Sequence, residues 1–455
     1  MNVLLVTYYY PPLGGAGVQR ALKFSKYLGD FGVRASVLAA DNRDYVHDES
    51  LLAEVPDALA VRRVEHRPWL QRFMAWRKRG AAAAAPKSAP KSAPAPRLAD
   101  GGTSASPGLR DAALRAYAAM HFPDDRAGWA RRAYAEGQAL IREQGIALVL
   151  STAPPMSAHW LGMRLARDAG LPWVADYRDL WTDNPGYAAP AWRAALDRRA
   201  ETGWLRQAAG VVTVTPSWRE RFVQRLAAGS PVTFIPNGYD EADFAAAEPV
   251  PRDDGVFRLV HTGTFYGPRD PATLLAGIDL YLRRAAPTAR PLRLRLVGNM
   301  GARFAQSVQQ FEAQHPGVIE LRAYVPHFEA IAEMRAADAL LLVVGAGPGG
   351  RASEVVAGTL PGKIFEYLRA ARPVLLLGDE RGDAAEILRR HGQGRVADET
   401  RPEAIAAALQ AMVDAAPRAP GAAPAPAAGV ERFERRALTG ELARFLVNCR
   451  EAWRG

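Results

Sequence analysis

The opening stretch VLLVTYYYPPLGGAGV (residues 3–18) decides the fold. Its first five residues form a short apolar run rich in β-branched side chains, which predicts a buried strand. A glycine turn follows, then a helical pattern from Val18 to Leu28 and a second apolar run at Val33–Leu38. Strand, glycine turn, helix and strand in this order predict the start of a doubly wound α/β sheet.

The same alternation continues and then starts a second time. The first series has further strands predicted at Ala147–Ser151, Trp173–Asp176, Gly210–Thr215 and Val232–Ile235. The second has strands predicted at Phe257–His261, Leu292–Val297, Val318–Leu321, Ala339–Val344 and Val374–Leu377. We therefore predict two Rossmann-like, doubly wound α/β domains that face a cleft, at residues 1–240 and 241–430. A helix at 431–455 is predicted to cross back to the first domain, and ligands are expected at the carboxyl ends of the strands.

Composition narrows the class of protein. The 455 residues are 49% hydrophobic and 23% charged, as in globular proteins of two or three domains. Cys449 is the only cysteine, so neither a disulfide framework nor a thiolate zinc cluster is possible. No apolar run reaches the roughly 18 residues of a spanning helix, and the N-terminus lacks the pattern of a signal peptide. We expect a cytoplasmic protein.

The positive charge is concentrated in one segment. Eleven Lys or Arg residues and only two acids, Glu65 and Asp100, lie between Val61 and Arg110, so this segment carries nearly all of the net charge of +10. Residues 68–110 are a basic, low-complexity insertion. Residues 68–79 alternate large apolar side chains with cations, which is typical of a helix lying on an anionic membrane, and predicts peripheral association at its inner face. A core-packing stripe followed by a solvated linker fits equally well. Without a recognised module, no nucleic-acid partner is predicted.

Two glycine turns are candidate phosphate sites. Gly14, Gly15 and Gly17 follow a strand and open a helix, where backbone N–H groups can meet an anion, although a merely tight turn has the same composition. Gly263 and Thr264 occupy the equivalent turn of the second domain. Arg269 stands just before the next helix, where a guanidinium suits a diphosphate. Arg269 could equally be a surface residue that caps the loop.

The most informative stretch is LPGKIFEYL (residues 360–368). Pro361 and Gly362 can begin a helix. Lys363 then lies in its first turn, where the helix dipole disfavours a cation unless an anion shares the site. Glu366 lies on the same face. The pair could be a surface ion pair, or a lysine on phosphate beside a carboxylate on ribose. Gly347 lies upstream in a glycine-rich loop at a strand end.

Six motifs, in this order, resemble one family. They are YYPP with GG (residues 9–15), STAPP (151–155), DYRDLW (176–181), VTVTPS (212–217), IPNGYD (235–240) and GKIFEYL (362–368). The chain resembles the retaining, GT-B-fold glycosyltransferases of the family 4 group, and the resemblance runs over most of its length.

The resemblance implies roles for several residues. Glu366 matches the second of the family's paired glutamates, which implies that it binds the donor ribose. Arg269 and Lys363 would bind the donor diphosphate, and Gly14 and Gly15 would lie over the phosphates or the acceptor. The segment 176–181 and His159 would face the cleft on the acceptor side. Gly358 stands where the family has its first glutamate, which puts the usual carboxylate contact to the transferred sugar in doubt.

The expected reaction is sugar transfer from a nucleotide sugar. The sequence has no Asp-x-Asp motif, so we predict no metal and no cofactor. Asp179 is the candidate to orient or deprotonate the acceptor hydroxyl, and His159 is the second. Asp179 could instead only pair with Arg178, and His159 could only pack on its helix. The resemblance suggests a glycan or lipid-linked acceptor, such as a cell-envelope or exopolysaccharide precursor.

Two other functions remain open on the sequence. Nucleotide-sugar 2-epimerases share the two-sheet cleft and would make the chain an isomerase. A nucleotide-sugar-binding protein that lost its chemistry with the missing glutamate would not be an enzyme. Product analysis separates the three, because only a transferase requires an acceptor.

Overall fold

The computed structural model describes residues 1–66, 121–227, 229–247, 255–263, 271–286, 289–298, 300, 302–344, 354–391, 394–417 and 425–454. The predicted basic insertion at 68–110 lies outside these residues, and so do Thr264, Arg269 and Gly347. Every structural statement below concerns the described part of the chain.

The first half forms one parallel sheet in the order β3-β2-β1-β4-β5-β6-β7. Its strands are β1 (Asn2–Val6), β2 (Arg34–Asp41), β3 (Ala60–Glu65), β4 (Leu148–Ala153), β5 (Trp173–Tyr177), β6 (Gly210–Thr213) and β7 (Val232–Phe234). The helices between them are α1 (Ala16–Tyr27), α2 (Ala127–Glu143), α3 (Met156–Ala169), α4 (Ala191–Leu205) and α5 (Pro216–Arg225). Short 3-10 helices at Leu28–Phe31 and Glu49–Glu54 follow α1 and β2.

The second half repeats this arrangement in the order β10-β9-β8-β11-β12-β13. Its strands are β8 (Phe257–Thr262), β9 (Leu292–Val297), β10 (Ile319–Arg322), β11 (Ala339–Val343), β12 (Val374–Leu377) and β13 (Gly394–Ala397). The helices are α6 (Glu241–Ala245), α7 (Ala272–Arg284), α8 (Ala302–Gln314), α9 (His327–Ala336), α10 (Glu354–Ala357), α11 (Lys363–Ala370), α12 (Asp383–Arg390) and α13 (Pro402–Ala415). A 3-10 helix at Val430–Phe433 leads into the last helix, α14 (Arg435–Ala452).

Both sheets are covered by helices on their two faces, which explains why the central strands are continuous apolar runs. In β1, Val3 pairs with Ala35 of β2 on one side and with Leu148 of β4 on the other. Leu4 packs into the cluster under α2 and α3. Val3 packs into the cluster under α1 and α14. Successive side chains of β1 point to opposite faces of the sheet, so this strand contributes to the hydrophobic core on each face.

The chain crosses between the domains twice, and the two crossings are hydrogen-bonded to each other. Tyr239 N–H donates to Phe433 O at 3.1 Å, and Arg435 N–H donates to Tyr239 O at 2.8 Å. The second crossing delivers α14 to the first domain, where Leu442 and Leu446 are fully buried beside α1 and β1. The predicted fold class is thus confirmed, including the helix that crosses back.

Two strands, β3 and β13, were not predicted from the sequence. Both are edge strands, and neither has the apolar run of an inner strand. Strand β3 carries two arginines and a terminal glutamate, and Gly394 and Arg395 of β13 are exposed. Among the described residues, no helix is both long and apolar enough to cross a membrane.

We predict that Leu442→Ala destabilises the first domain. Leu442 is 0% exposed between α14 and the sheet, so its truncation should lower the free energy of unfolding by about 2–5 kcal/mol. Urea denaturation followed by tryptophan fluorescence measures this. The matched control is Arg444→Ala on the exposed side of α14, which should change stability by less than about 0.5 kcal/mol. Equal effects of the two variants would mean that α14 does not belong to the core.

Candidate functional site

Loops from the carboxyl ends of the two sheets meet across a cleft. Ser217, at the start of α5, donates through its hydroxyl to Asp383 Oδ1 at 2.8 Å, and its N–H donates to Asp383 Oδ2 at 3.2 Å. A Cβ placed on Gly362 would lie 3.6 Å from Asn237 Cβ. The N-terminal end of α11 therefore faces the first domain, as expected for a ligand site between two such sheets.

Arg178 organises the first domain's side of the cleft. Its guanidinium donates to Gly17 O, and also to Pro154 O at 2.5 Å. Gly17 lies in the first turn of α1, which follows β1, and Pro154 directly follows β4. Arg178 itself directly follows β5, so one guanidinium connects three neighbouring segments at the carboxyl edge of the sheet. Burial lowers the pKa of Arg178, against the opposing charges of Asp179 and Asp176.

The glycine turn after β1 lies at this edge. Gly14 is buried, and its N–H donates to Val46 O at 2.8 Å. Gly15 is exposed and has φ +90, a conformation that favours glycine, and it directly precedes α1. Gly17 contributes its carbonyl to Arg178 and lies against the ring of Tyr9. Of the three predicted residues, Gly15 is the one most open to a ligand.

Asp176 and Asp179 have opposite environments although they lie three residues apart. Asp176 is 1% exposed and accepts hydrogen bonds from Arg20 at 2.7 Å and from Thr152 at 2.7 Å. These partners lower its pKa, although burial alone would raise it. Asp179 is solvent-accessible. Desolvation by the surrounding protein nevertheless raises its pKa to about 6, and the positive charge of Arg178 opposes this shift only in part. Asp179 is therefore able to exchange a proton near neutral pH.

His159 does not face the cleft, contrary to our expectation. Its side chain is 0% exposed and packs on the Tyr177 ring, with 4.4 Å between ring centroids. Its Nδ1 shares a hydrogen bond of 2.8 Å with Ser151 Oγ, and burial lowers its pKa to about 3. The family resemblance implied that His159 faces the cleft, but its place on α3 directs the side chain into the core, where an acceptor does not reach it.

In the second domain, Lys363 lies over the glycine turn that ends β8. The Lys363 ammonium donates to Thr262 O at 2.5 Å. A Cβ on Gly263, which has φ +127, would come within 2.3 Å of Lys363 Nζ, and one on Gly298 would come within 2.3 Å of Gly263 O. Only glycines allow two strand ends and an ammonium to come this close. The result is an exposed turn with a cation on it. Pro361 and Gly362 begin the adjoining helix.

Glu366 lies one turn along α11. Its side chain points toward the hinge between the domains, by which we mean the two hydrogen-bonded chain crossings at Tyr239 and at Phe433–Arg435. Its side chain is 16% exposed, and Oε1 lies 3.4 Å from His327 Nε2. The same nitrogen lies 3.5 Å from Asp243 Oδ2. Burial alone would lower the pKa of His327, but the charges of Glu366 and Asp243 outweigh it and raise the pKa. Arg435 at the start of α14 adds a further positive charge near both carboxylates.

Asp243 leads from this pair to a buried lysine. Lys23 of α1 is 1% exposed, and its ammonium lies 2.5 Å from Glu54, 2.6 Å from Asp240 and 3.1 Å from Asp243. Attraction to these carboxylates raises the pKa of Lys23, although burial alone would lower it. The three carboxylates are close enough together to ligate a metal ion, but the ammonium already occupies the space between them. They therefore provide no argument for a metal.

Gly358, at the position where the resemblance implies a glutamate, packs against the first domain. A Cβ at this position would lie 2.9 Å from Ser217 Cβ and 3.1 Å from the Trp218 ring. A glutamate therefore does not fit here without separating the two domains at this point. The glycine at this position therefore allows the two domains to approach closely.

The structure brings together some predicted donor residues and adds others. Gly263, Gly362 and Lys363 lie together. Thr264, Arg269 and Gly347 fall outside the described residues, so their roles remain predictions. Sequence reasoning missed His327 and Lys23. A charged residue within the apolar pattern of α1 was the available signal for Lys23. For His327 the signal was its place just after Pro326, at the start of a helix.

Comparison with known proteins agrees with this architecture. Residues 96–243, about a third of the chain, match the family described as Glycosyltransferase Family 4. No curated protein matches the chain in sequence.

Several solved structures match nearly the whole chain at low identity. HepE from Anabaena, in complex with UDP and glucose, is 13% identical with a TM-score of 0.60, and the match covers 98% of this chain and 100% of that one. Sucrose-phosphate synthase from Thermosynechococcus elongatus is 13% identical with a TM-score of 0.61, covering 99% and 100%. UDP-GlcNAc 2-epimerase from Methanocaldococcus jannaschii is 10% identical with a TM-score of 0.52, covering 98% and 100%. These likenesses establish the GT-B fold.

We predict that Lys23→Met destabilises the protein strongly. Lys23→Met removes the one ammonium that Glu54, Asp240 and Asp243 share, which should lower the free energy of unfolding by about 3–5 kcal/mol. The matched control is Lys26→Met, because Lys26 also contacts Glu54 but is 22% exposed. For this partly exposed pair we expect a contribution of about 1 kcal/mol or less. Urea denaturation measures the free energy of unfolding of both variants. If Lys23→Met is no less stable than Lys26→Met, the central role of Lys23 is contradicted.

Proposed function

We propose that this protein is a glycosyltransferase that takes a sugar from a nucleotide-sugar donor bound mainly by the second domain. The observation that carries the proposal is that the Lys363 ammonium lies over exposed Gly263, where a Cβ would come within 2.3 Å of Lys363 Nζ. A cation beside close-approach backbone is the arrangement that a diphosphate needs. The family match at residues 96–243 supports the same reading independently.

The donor is proposed to lie along α11. Lys363 contacts the diphosphate, and Glu366, one turn on, accepts hydrogen bonds from the ribose hydroxyls. His327 lies 3.4 Å from Glu366 and holds its carboxylate toward the hinge until ribose arrives. Arg269, Thr264 and Gly347 are proposed to complete the donor site.

In the proposed reaction, the bond between the anomeric carbon and the diphosphate oxygen breaks, and its electron pair stays on the diphosphate. Lys363, together with Arg269, stabilises this charge without a metal. The acceptor oxygen bonds to the anomeric carbon with retention of configuration. The acceptor proton is taken up by Asp179, whose pKa of about 6 makes it a suitable base near neutral pH.

The acceptor is proposed to be a glycan or lipid-linked precursor of a cell-envelope or exopolysaccharide, and the transferred sugar a hexose. The protein would then act in the cytoplasm, peripherally at the inner face of the membrane through residues 68–79. The alternating tryptophans, phenylalanine and cations of that segment support this placement.

The isomerase alternative has support from fold likeness, since an epimerase shares the architecture. The non-catalytic alternative has support from Gly358. Against both, Asp179 offers a titratable carboxylate at the cleft on the domain opposite the donor turn, where an acceptor would be deprotonated.

We expect one nucleotide sugar to raise the midpoint temperature of thermal unfolding, Tm, in the presence of EDTA. The variant Glu366→Gln should show a smaller increase in Tm or none. At a ligand concentration about 100-fold above Kd, binding adds about 2.7 kcal/mol of stability. The matched control is Glu386→Gln, an exposed glutamate on α12 that pairs with Arg390 at 2.8 Å; it should keep the full increase. Loss of the increase in both variants, or in neither, would contradict the assignment of Glu366.

We expect kcat/KM to rise with pH through about 6, the pKa of Asp179, and then to level, because only the ionised carboxylate accepts the proton. Asp179→Asn should remove this limb and lower kcat/KM by about 100-fold or more. Asp183→Asn is the control on the same loop, since Asp183 is held by Arg225 at 3.2 Å. A pH profile of Asp179→Asn that keeps its acidic limb would exclude Asp179 as the base.

A further inference from the structure

The first half of helix α4 exposes large apolar side chains, whereas its second half buries them. Trp192 is 62% and Leu196 45% exposed, but Trp204 and Leu205 are buried in the core of the first domain. The two acidic residues of the helix point inward, with Asp197 2% and Glu201 0% exposed. Surface helices of globular proteins normally bury their apolar face, so the outer face of α4 needs an explanation.

The inner face cannot exchange with the outer one, because specific partners hold both of its carboxylates. Arg193 Nε donates to Asp197 Oδ1 at 2.7 Å, and Tyr187 OH donates to Asp197 Oδ2 at 2.7 Å. Thr182 and Arg225 donate to Glu201 Oε2 at 2.5 Å and 2.8 Å. Rotating the helix to bury Trp192 would break these bonds. The exposure of Trp192 and Leu196 is thus a fixed property of the fold.

The charged residues on the outer face of α4 and just beyond its end are all cations. Arg198, Arg199 and Arg206 are exposed there. Together with Thr202 and Gly203 they line a shallow, open depression. The acids of α4 face the other way, so no carboxylate of the helix neutralises these guanidinium groups on the outer side. The face therefore combines apolar side chains near one end with a positive surface near the other.

We propose that this outer face of α4, defined by Trp192, Leu196, Arg198, Arg199 and Arg206, docks on an anionic lipid surface. Trp and Leu side chains bury in the boundary between headgroups and acyl chains, and each Lys or Arg near an anionic leaflet strengthens the attraction. The proposal does not depend on the catalytic role proposed above.

Charge complementarity favours lipid over the nearest alternative occupant, which is the chain's own residues 67–120. That stretch rejoins the described residues at His121, whose carbonyl accepts from Arg193 Nη2 at 2.9 Å. Residues 67–120, however, contain ten Lys or Arg residues and two acids. Like charges repel, so this stretch is poorly suited to cover an arginine face. An anionic surface attracts both.

Docking through α4 would bring the cleft beside the membrane. The loop that carries Asp179 runs from β5 directly into α4, so the apolar end of α4 lies on the same side of the sheet as the cleft. A lipid-linked molecule could then reach Asp179 without leaving the membrane.

The test is co-sedimentation of the full chain with vesicles of phosphatidylcholine, with or without about 30% phosphatidylglycerol as the anionic lipid. We expect binding only to the anionic vesicles. Arg198→Glu with Arg199→Glu should weaken this binding by at least about 10-fold. The matched control is Arg283→Glu with Arg284→Glu, two adjacent exposed arginines at the end of α7. The control changes net charge equally and should weaken binding by less than about threefold, because distant exposed charges are screened.

A second pair of substitutions, Trp192→Ser with Leu196→Ser, separates insertion from charge. It should weaken binding severalfold and make the remainder more sensitive to salt. Circular dichroism confirms that each variant is folded. Equal binding by the α4 and α7 variants would overturn the proposal and assign lipid binding to residues 67–120. A change from dimer to monomer in the α4 variants, with vesicle binding unchanged, would also overturn it, because the face would then join two copies of the chain.

Discussion

The ammonium of Lys23 is a buried positive charge, 1% exposed, at the junction between the two domains. The carboxylates around it come from both sides of that junction. A buried charge is costly unless it is paired and hydrogen-bonded. Lys23 meets this requirement with Glu54, Asp240 and Asp243, which come from a 3-10 helix of the first domain and from the crossing into the second. Helix α1, that 3-10 helix and the crossing therefore keep one arrangement.

The same network reaches the proposed donor site. Asp243 contacts both Lys23 and His327, and His327 contacts Glu366 on α11. A ligand that binds the Glu366 carboxylate would therefore change the charge interactions of His327 and Asp243 at the hinge. Conversely, movement of Asp243 or His327 would change the position of the Glu366 carboxylate. A second contact, between Ser217 and Asp383, joins the domains beside Gly358. A larger side chain at position 358 would need the space that Ser217 and Trp218 fill.

The fold could be predicted from the sequence because inner parallel strands are continuous apolar runs separated by glycine turns and helical periods. The edge strands β3 and β13 could not, because both contain exposed polar or glycine residues that interrupt such a run, whereas the edge strands β7 and β10 were predicted. For the site, the glycine turn predicted Gly263 and the family resemblance predicted Lys363 as donor-binding residues, and the two lie together. The sequence could not show that Asp176 is buried and paired, since its partner Arg20 comes from α1, which is distant in sequence. Nor could it show that His159 points into the core, because the face a helix buries depends on its neighbours.

The most direct test of the central claim is the fate of the donor. The protein would be incubated with the nucleotide sugar that stabilises it, with and without an extract of lipid-linked and glycan acceptors, and the released nucleoside diphosphate would be measured while the sugar is followed by NMR. We predict diphosphate release that depends on the acceptor, with the sugar joined to it. Conversion of the nucleotide sugar to a stereoisomer without acceptor, or no turnover under any condition, would contradict transferase function.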